Sequence, residues 1–329
     1  MYVSARPEVE PRTVDPLLRA ASLPFSREFY PAGFRLMMAT NERDVLAAAE
    51  ECWSGYEREF ASEPIALHVI VRADGRLSPE PAYRCQGHLF SVIGDSDNFA
   101  VADLDRLFGF AIVSAKTAAD HTWLRWFFVE AVAYTLLAQR HAVAVHGACV
   151  ARNGSGILLC GPSGAGKSTL SFACARQGWT FVSDDCTWLL PDSENPEAVG
   201  RPAEARFRPD ASRLFPELKG LAERARPNGK IGLEVPLKKF PRIRTASRCS
   251  IGGLAFLERN RGGAAGIVAM PKGEALEGLL RDRPSYGAET DRRHERTIRR
   301  LVELPAYGLR YESPEEGVRL VARLADGEI

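Results

Sequence analysis

The sequence lacks a hydrophobic run long enough to cross a bilayer. Its longest apolar stretch, residues 126–138, is interrupted by Glu130 and is shorter than the ~20 residues that a membrane helix needs. The first residues are polar and proline-rich, unlike the apolar core of a signal peptide. We therefore expect a cytoplasmic protein with no membrane partner.

A strong charge imbalance and metal-type cysteine spacings are also missing. The net charge is only +1 over 329 residues, which argues against a nucleic-acid partner. The seven cysteines are scattered, and none forms a C-x-x-C pair. With 45% hydrophobic residues the chain can bury a substantial core. This composition is typical of a soluble enzyme, and the length suits two domains or one large one.

The most informative motif that is present is a complete G-x-x-x-x-G-K-[ST] octet at residues 161–168. Residues 155–160 before it predict a buried strand and residues 169–175 after it predict a helix, the context in which such a loop binds phosphate. Glycines let backbone N–H groups approach phosphate oxygens, and the helix N-terminus adds a positive end. The motif predicts ATP and Mg²⁺ as ligands, with Lys167 at the β and γ phosphates and the Ser168 hydroxyl at the metal. The predicted nucleotide-binding residues are Gly161, Pro162, Ser163, Gly164, Ala165, Gly166, Lys167, Ser168 and Thr169.

Two adjacent carboxylates follow the next predicted strand. Residues 178–183 lead directly into Asp184 and Asp185. In α/β sheets ligands bind outside the carboxyl ends of the strands, so both side chains are expected at the phosphate site. One carboxylate can help to hold Mg²⁺ while the other accepts the proton of an attacking hydroxyl. The alternative is that the pair only caps a turn.

A histidine precedes the loop. Residues 141–152 predict a strand, and Asn153-Gly154 predicts a hairpin turn into the strand that enters the loop. His146 and Gly147 lie at the edge of this unit. Taken alone, such a histidine is more often structural than catalytic.

The order His-Gly, strand, turn, strand, GPSGAGKST, helix, strand, Asp-Asp over residues 146–190 resembles the HPr kinase/phosphorylase family. It is more similar to stand-alone HPr-kinase-like proteins, some of which accompany lasso-peptide genes and phosphorylate a precursor serine. A more remote similarity is to phosphoenolpyruvate carboxykinase. The resemblance implies an α/β P-loop kinase core of the HPr kinase/phosphoenolpyruvate carboxykinase type, preceded by a small α+β N-terminal domain.

The resemblance also implies roles for individual residues. Asp184 would be the base, Lys167 would contact phosphate and His146 would lie close to the phosphates, while Ser168 and Asp185 would hold Mg²⁺. The Glu-Ile-Arg-Gly-Leu-Gly signature of bifunctional HPr kinases is absent from the sequence, so HPr itself and phosphorylase activity are not expected. HPr kinases are hexamers, which makes a homo-oligomer an option here.

We expect four segments. Residues 1–20 are a flexible N-terminus, 21–120 a small α+β recognition or scaffold domain, 121–140 a linking helix and 141–329 the catalytic domain. Within the second segment, Asn41 is expected to cap a helix. Residues 201–216 are expected to form an irregular, basic flap. The candidate cations for the transferring phosphoryl group are Arg206, Arg208, Arg226 and Lys230.

Three functions remain open from the sequence. The first is an ATP- and Mg²⁺-dependent kinase for a serine hydroxyl on a peptide or protein. The second is a kinase for a small-molecule alcohol, and the third is an ATP-gated binding module without transferase activity. The N-terminal segment and the His-Gly pair before the loop favour the first function, because small-metabolite kinases usually begin almost at the phosphate-binding loop.

Overall fold

The computed structural model describes residues 21–191, 193–225, 227, 229–259, 264–281 and 283–328. The expectation for residues 1–20 therefore lies outside the described residues. The protein is a mixed α/β chain with three sheets of seven, ten and three strands. No helix in the described ranges is long and apolar enough to span a bilayer.

The first sheet is built by the N-terminal part of the chain. Its spatial order is β1-β2-β3-β7-β6-β5-β4. Strands β2, β3 and β7 run parallel to one another, whereas β1, β6, β5 and β4 join through antiparallel pairs. The strands are β1 (Phe25–Phe29), β2 (Leu36–Thr40), β3 (Ile65–Arg72), β4 (Ala82–Gln86), β5 (Leu89–Ile93), β6 (Phe99–Asp103) and β7 (Phe108–Ser114).

Helices cover one face of this sheet. They are α1 (Arg43–Trp53), α2 (Ala115–Ala119), α3 (His121–Leu124) and α4 (Ala131–Arg140), with a π-helical segment (Arg125–Glu130) joining α3 to α4. The chain is thus helical from His121 to Arg140. The capping prediction was wrong: Asn41 instead bonds the backbone of Val71 through both side-chain atoms, at 2.8 and 2.7 Å. A residue that pairs with a neighbouring strand in this way is not available to cap α1.

The second sheet carries the motif residues. Its main order is β17-β11-β9-β10-β18-β13-β12-β8, with β20 between β18 and β19. Its strands are β8 (Val143–Val145), β9 (Gly147–Arg152), β10 (Ser155–Cys160), β11 (Thr180–Ser183), β12 (Thr187–Leu189), β13 (Glu197–Val199), β17 (Arg244–Thr245), β18 (Arg248–Arg259), β19 (Gly266–Ala269) and β20 (Ala306–Tyr311). The hairpin prediction is confirmed: β9 and β10 pair antiparallel, and Asn153 and Gly154 have φ of 53° and 82°.

Four helices and a small sheet complete the chain. The helices are α5 (Lys167–Arg176), α6 (Lys272–Leu280), α7 (Ala288–Leu301) and α8 (Pro314–Asp326). The three-stranded sheet has the order β14-β16-β15 and consists of β14 (Glu204–Phe207), β15 (Glu223–Ala225) and β16 (Ile231–Pro236). The prediction of an irregular flap at 201–216 was therefore wrong in part. Ala205 and Phe207 alternate inward and are buried, which is what makes this segment a strand.

The two larger sheets share buried residues. Trp188 of β12 belongs to the same core as the N-terminal helices, and its ring lies 5.3 Å from that of Tyr134 on α4. Arg201, just before β14, forms an ion pair with Glu130 at 3.5 Å. The helical segment 121–140 therefore contacts both the first sheet and the region that carries the motifs.

Candidate active site

A strand, a glycine-rich loop and a helix meet at the motif. Strand β10 ends at Cys160 and α5 begins at Lys167. Gly164 and Gly166 have φ of 90° and 99°, a region that side chains other than glycine rarely adopt. Within the described residues, the N–H groups of Gly164, Gly166 and Ser168 have no hydrogen-bond acceptor. Free backbone donors at a helix N-terminus form a site for an anion.

Lys167 is folded back onto this loop. It is only 5% exposed. Its Nζ donates to the carbonyl oxygens of Gly161 and Pro162 at 2.7 and 3.2 Å. The same atom lies 2.9 Å from Nε2 of His146. The cation is therefore held at the mouth of the loop, next to the free N–H groups.

The acidic pair lies beside the start of α5. Strands β10 and β11 are both antiparallel to β9, so they run in the same direction and their carboxyl ends share an edge of the sheet. The Ser168 hydroxyl donates to the backbone oxygen of Asp184 at 3.3 Å. The chain thus brings Lys167, Ser168 and the Asp184-Asp185 pair to one place.

The two aspartates have different surroundings. Asp184 is 7% exposed, and one of its carboxylate oxygens accepts from the backbone N–H of Arg206 at 2.5 Å. Burial, and secondly the negative charge of Asp185, raise the pKa of Asp184 to about 7. The side chain of Asp185 is 49% exposed. The buried Asp184 is therefore harder to ionise than an ordinary aspartate, whereas Asp185 faces solvent.

His146 lies between Lys167 and Asp185. Its Nδ1 is 3.5 Å from a carboxylate oxygen of Asp185, while Nε2 is the atom that contacts Lys167. If Nε2 accepts from the ammonium group, the ring proton resides on Nδ1 and points to Asp185. The histidine therefore bridges the cation and the exposed carboxylate.

The four candidate cations have different surroundings in the structure. A Cβ atom built on Gly164 would lie 3.2 Å from Nη2 of Arg208, so this exposed guanidinium lies directly over the loop. The side chain of Arg206 pairs with Glu204 at 3.0 Å instead. Lys230 is exposed, and Arg226 lies outside the described residues.

The remaining predicted loop residues are arranged along the same turn. Pro162 and Ser163 are exposed at its crest, and Ala165 is half-buried. Thr169 is half-buried in the first turn of α5. The Tyr311 hydroxyl, at the end of β20, donates to the Ala165 carbonyl at 3.3 Å. The sequence analysis did not assign this tyrosine to the site.

A polar cleft adjoins Arg206. Its lining includes the ion pairs Arg201–Glu130 and Arg206–Glu204, whose side chains are 15–23% exposed. The lining also includes Arg125, from the π-helical segment, and Glu234, from β16. The sequence offered no signal for this cleft, since its walls come from segments about 70 to 110 residues apart.

Part of the chain is similar to a known family and to a solved structure. Residues 112–222 match the family described as "SynChlorMet cassette protein ScmC", and this segment includes the loop and both aspartates. No curated protein matches the chain significantly in sequence. Among solved structures, the chain is similar to the Hpr(Ser) kinase/phosphatase from Coxiella burnetii with 11% identity and a TM-score of 0.33, covering 56% of this chain and 95% of that one.

Proposed function

We propose that this chain is an ATP- and Mg²⁺-dependent phosphotransferase that transfers the γ-phosphoryl group to a serine hydroxyl of a peptide or protein. The observation that carries the proposal is the meeting of Lys167 and Ser168 with the Asp184-Asp185 pair, linked by the contact between the Ser168 hydroxyl and the Asp184 carbonyl. A phosphate-binding loop next to two carboxylates of unlike surroundings contains the groups that phosphoryl transfer requires.

The triphosphate is proposed to bind on the loop. The free N–H groups of Gly164, Gly166 and Ser168 supply neutral donors, and Lys167 supplies a charge. The groups that Lys167 now contacts include two carbonyl oxygens and an imidazole nitrogen. Phosphate oxygens would replace these neutral acceptors with negatively charged ones, so that both partners of each hydrogen bond carry a charge. This exchange favours binding of a polyanion.

Ser168 and Asp185 would hold a magnesium ion together with the nucleotide. Both offer oxygen ligands, and Mg²⁺ at phosphate sites usually takes only one or two carboxylates from the protein. Groups of three or more His, Cys, Asp and Glu side chains that could bind a metal by themselves are not found in the described ranges. This agrees with a metal that is held jointly with phosphate. The ion would neutralise charge on the phosphate oxygens.

Asp184 is proposed as the base for the acceptor hydroxyl. It is buried and held by the Arg206 N–H, so its position is fixed. Burial raises the pKa of this carboxyl, and a carboxylate with a raised pKa accepts a proton more readily than an ordinary one. Arg208, above Gly164, is placed to meet negative charge on the transferring group.

The test is transfer of label from γ-labelled ATP into an extract of the source cells, with the Asp184→Asn protein as the matched control. Products are separated into protein, peptide and small-molecule fractions. Label in phosphoserine of a protein or peptide, only with the unmutated chain, is the expected result. Label in a small alcohol would show that the chain is a kinase whose acceptor is a small molecule and not a peptide or protein. Tight ATP binding with no transfer to any fraction would contradict the proposal and favour an ATP-gated module.

A further inference from the structure

The polar cleft beside Arg206 has walls from two parts of the chain. One wall is the π-helical segment with Thr122 before it, and the other is the three-stranded sheet with Arg201 ahead of β14. Arg206 connects the cleft to the acidic pair. Its backbone N–H donates to a carboxylate oxygen of Asp184, while its side chain lines the cleft. A group bound in the cleft would therefore lie next to the proposed base.

The π-helical segment supplies three residues of the lining, Arg125, Trp126 and Glu130. Short π-helical stretches are rare and are frequently found at functional sites. Their hydrogen bonds run from residue i to residue i+5, so the first and last residues of this segment, Arg125 and Glu130, come to the same side. A regular α-helix, with ~3.6 residues per turn, would turn them to different sides. The irregular helix therefore places both charged residues on the cleft wall.

The cleft contains more hydrogen-bond donors than the chain uses. Its described arginines are Arg125, Arg201, Arg206 and Arg224. Each guanidinium carries several N–H donors and no acceptor. Among the described residues, hydrogen bonds use only two of these donors, Nε of Arg206 to Glu204 at 3.0 Å and Nη2 of Arg201 to the Glu51 carbonyl at 3.4 Å. Nε of Arg125 is buried and has no acceptor within the same part of the chain. The cleft therefore suits a ligand with several acceptor atoms.

The charges of the cleft suit a ligand with one negative charge. Of the described lining residues, four are arginines and three are glutamates. The glutamates are Glu130, Glu204 and Glu234. Arg125 pairs outside the lining, with Glu51 at 3.0 Å, and Glu51 is shared with His121 at 2.6 Å. A single carboxylate would balance the lining, whereas a dianionic phosphate would exceed it.

We infer that this cleft binds the carboxylate of an acidic residue of the acceptor peptide, close in sequence to the serine that receives the phosphoryl group. The inference rests on the proposed function, because it names a feature of the acceptor. A carboxylate has two oxygens and can accept from more than one guanidinium. The side chains of Arg125, Arg201 and Arg206 are only 17–23% exposed, so salt screens their charges less than those of surface arginines. Arg224, which is 64% exposed, stands at the rim.

The test is binding of serine-centred peptide pools to the full chain in the presence of Mg·ADP, so that no transfer takes place. One pool carries a glutamate at a varied position beside the serine, and the second carries glutamine at the same positions. Fluorescence anisotropy of the labelled peptides measures the affinity. We expect the glutamate pool to bind at least about tenfold more tightly, because hydrogen bonds to charged groups contribute more than those to neutral ones.

Two variants test which residues bind the carboxylate. Arg125→Gln should remove the preference for the glutamate pool. Arg224→Glu should weaken binding of that pool and favour a third pool with lysine at the same positions, a gain that misfolding cannot produce. Arg213→Glu is the matched control, because Arg213 is exposed and does not line the cleft. It should keep the preference of the wild type.

Equal binding of the glutamate and glutamine pools to the wild type would overturn the inference. So would an acidic preference that survives both Arg125→Gln and Arg224→Glu. Transfer from γ-labelled ATP to the same pools is measured separately. Selective binding that depends on the two arginines, but without transfer, would support the carboxylate site and contradict the proposed function. Transfer with no preference for acidic peptides would contradict this inference alone.

Discussion

The ammonium nitrogen of Lys167 lies 2.9 Å from Nε2 of His146, and the opposite ring nitrogen of His146 lies 3.5 Å from Asp185. The three side chains come from α5, the turn before β9 and the turn after β11. One imidazole therefore connects the cation of the loop to the exposed carboxylate. This arrangement couples the group proposed to bind phosphate to the group proposed to bind the metal.

Asp184→Asn should spare nucleotide affinity and remove transfer. Asparagine has nearly the same shape and can still accept from the Arg206 N–H, but it cannot take a proton. We expect kcat to fall by about 10²–10⁴, with the Kd for ATP changed less than about twofold. Single-turnover transfer and calorimetry measure the two quantities. Full transferase activity in this variant would show that another group is the base.

Arg208→Ala should slow transfer at least about a hundredfold, because a guanidinium over the loop stabilises charge on the transferring group. Arg213→Ala is the matched control, since Arg213 is an exposed arginine in the same segment. The two rates are compared at saturating ATP. Equal transfer rates in the two variants would show that Arg208 does not take part in transfer.

Asp185→Asn should raise the Mg²⁺ concentration needed for half-maximal activity by about tenfold, since one charged oxygen ligand is lost. Asp210→Asn provides the control, because Asp210 is exposed. A magnesium titration of each variant at fixed ATP measures the effect. An unchanged magnesium requirement would assign the metal to other residues.

His294 should make the protein sensitive to acid. It is 1% exposed, its Nε2 lies 2.8 Å from the Ala138 carbonyl, and burial lowers its pKa to about 4. The unfolded chain, with an ordinary histidine pKa, binds the proton first, so stability is full above pH ~6.5 and is lost as the pH falls towards 4.

The size of this effect is about 3 kcal/mol across that range. His294→Gln keeps a donor for Ala138 but does not titrate. Urea unfolding at pH 7 and pH 4.5 should therefore show a smaller loss of stability for this variant than for the wild type. An equal loss in the two proteins would contradict the assignment.

The local parts of the site could be predicted from the sequence. Glycine spacing, the strand before it and the helix after it are all set by neighbouring residues, and the structure has β10 and α5 at these positions. The Asn153-Gly154 hairpin is equally local. Because β10 and β11 run in the same direction, the position of Asp184 beside the loop follows from these local predictions.

The non-local parts could not be predicted in this way. Strand β14 pairs with β16 across about 30 residues. It carries the Arg206 N–H to Asp184, and Arg208 follows it over Gly164. The sequence could name these arginines but could not choose between them. Asn41 was misassigned because its partner, Val71, lies on another strand. Nothing in the local sequence specifies that contact.

The most direct test of the central claim is calorimetric titration of Mg·ATP into the wild-type chain and Lys167→Ala. Lys219→Ala serves as the control, since Lys219 is exposed and far from the motif in sequence. The account predicts saturable binding to the wild type and the control, and at least tenfold weaker binding to Lys167→Ala. No binding to the wild type, or equal affinity in all three proteins, would contradict it.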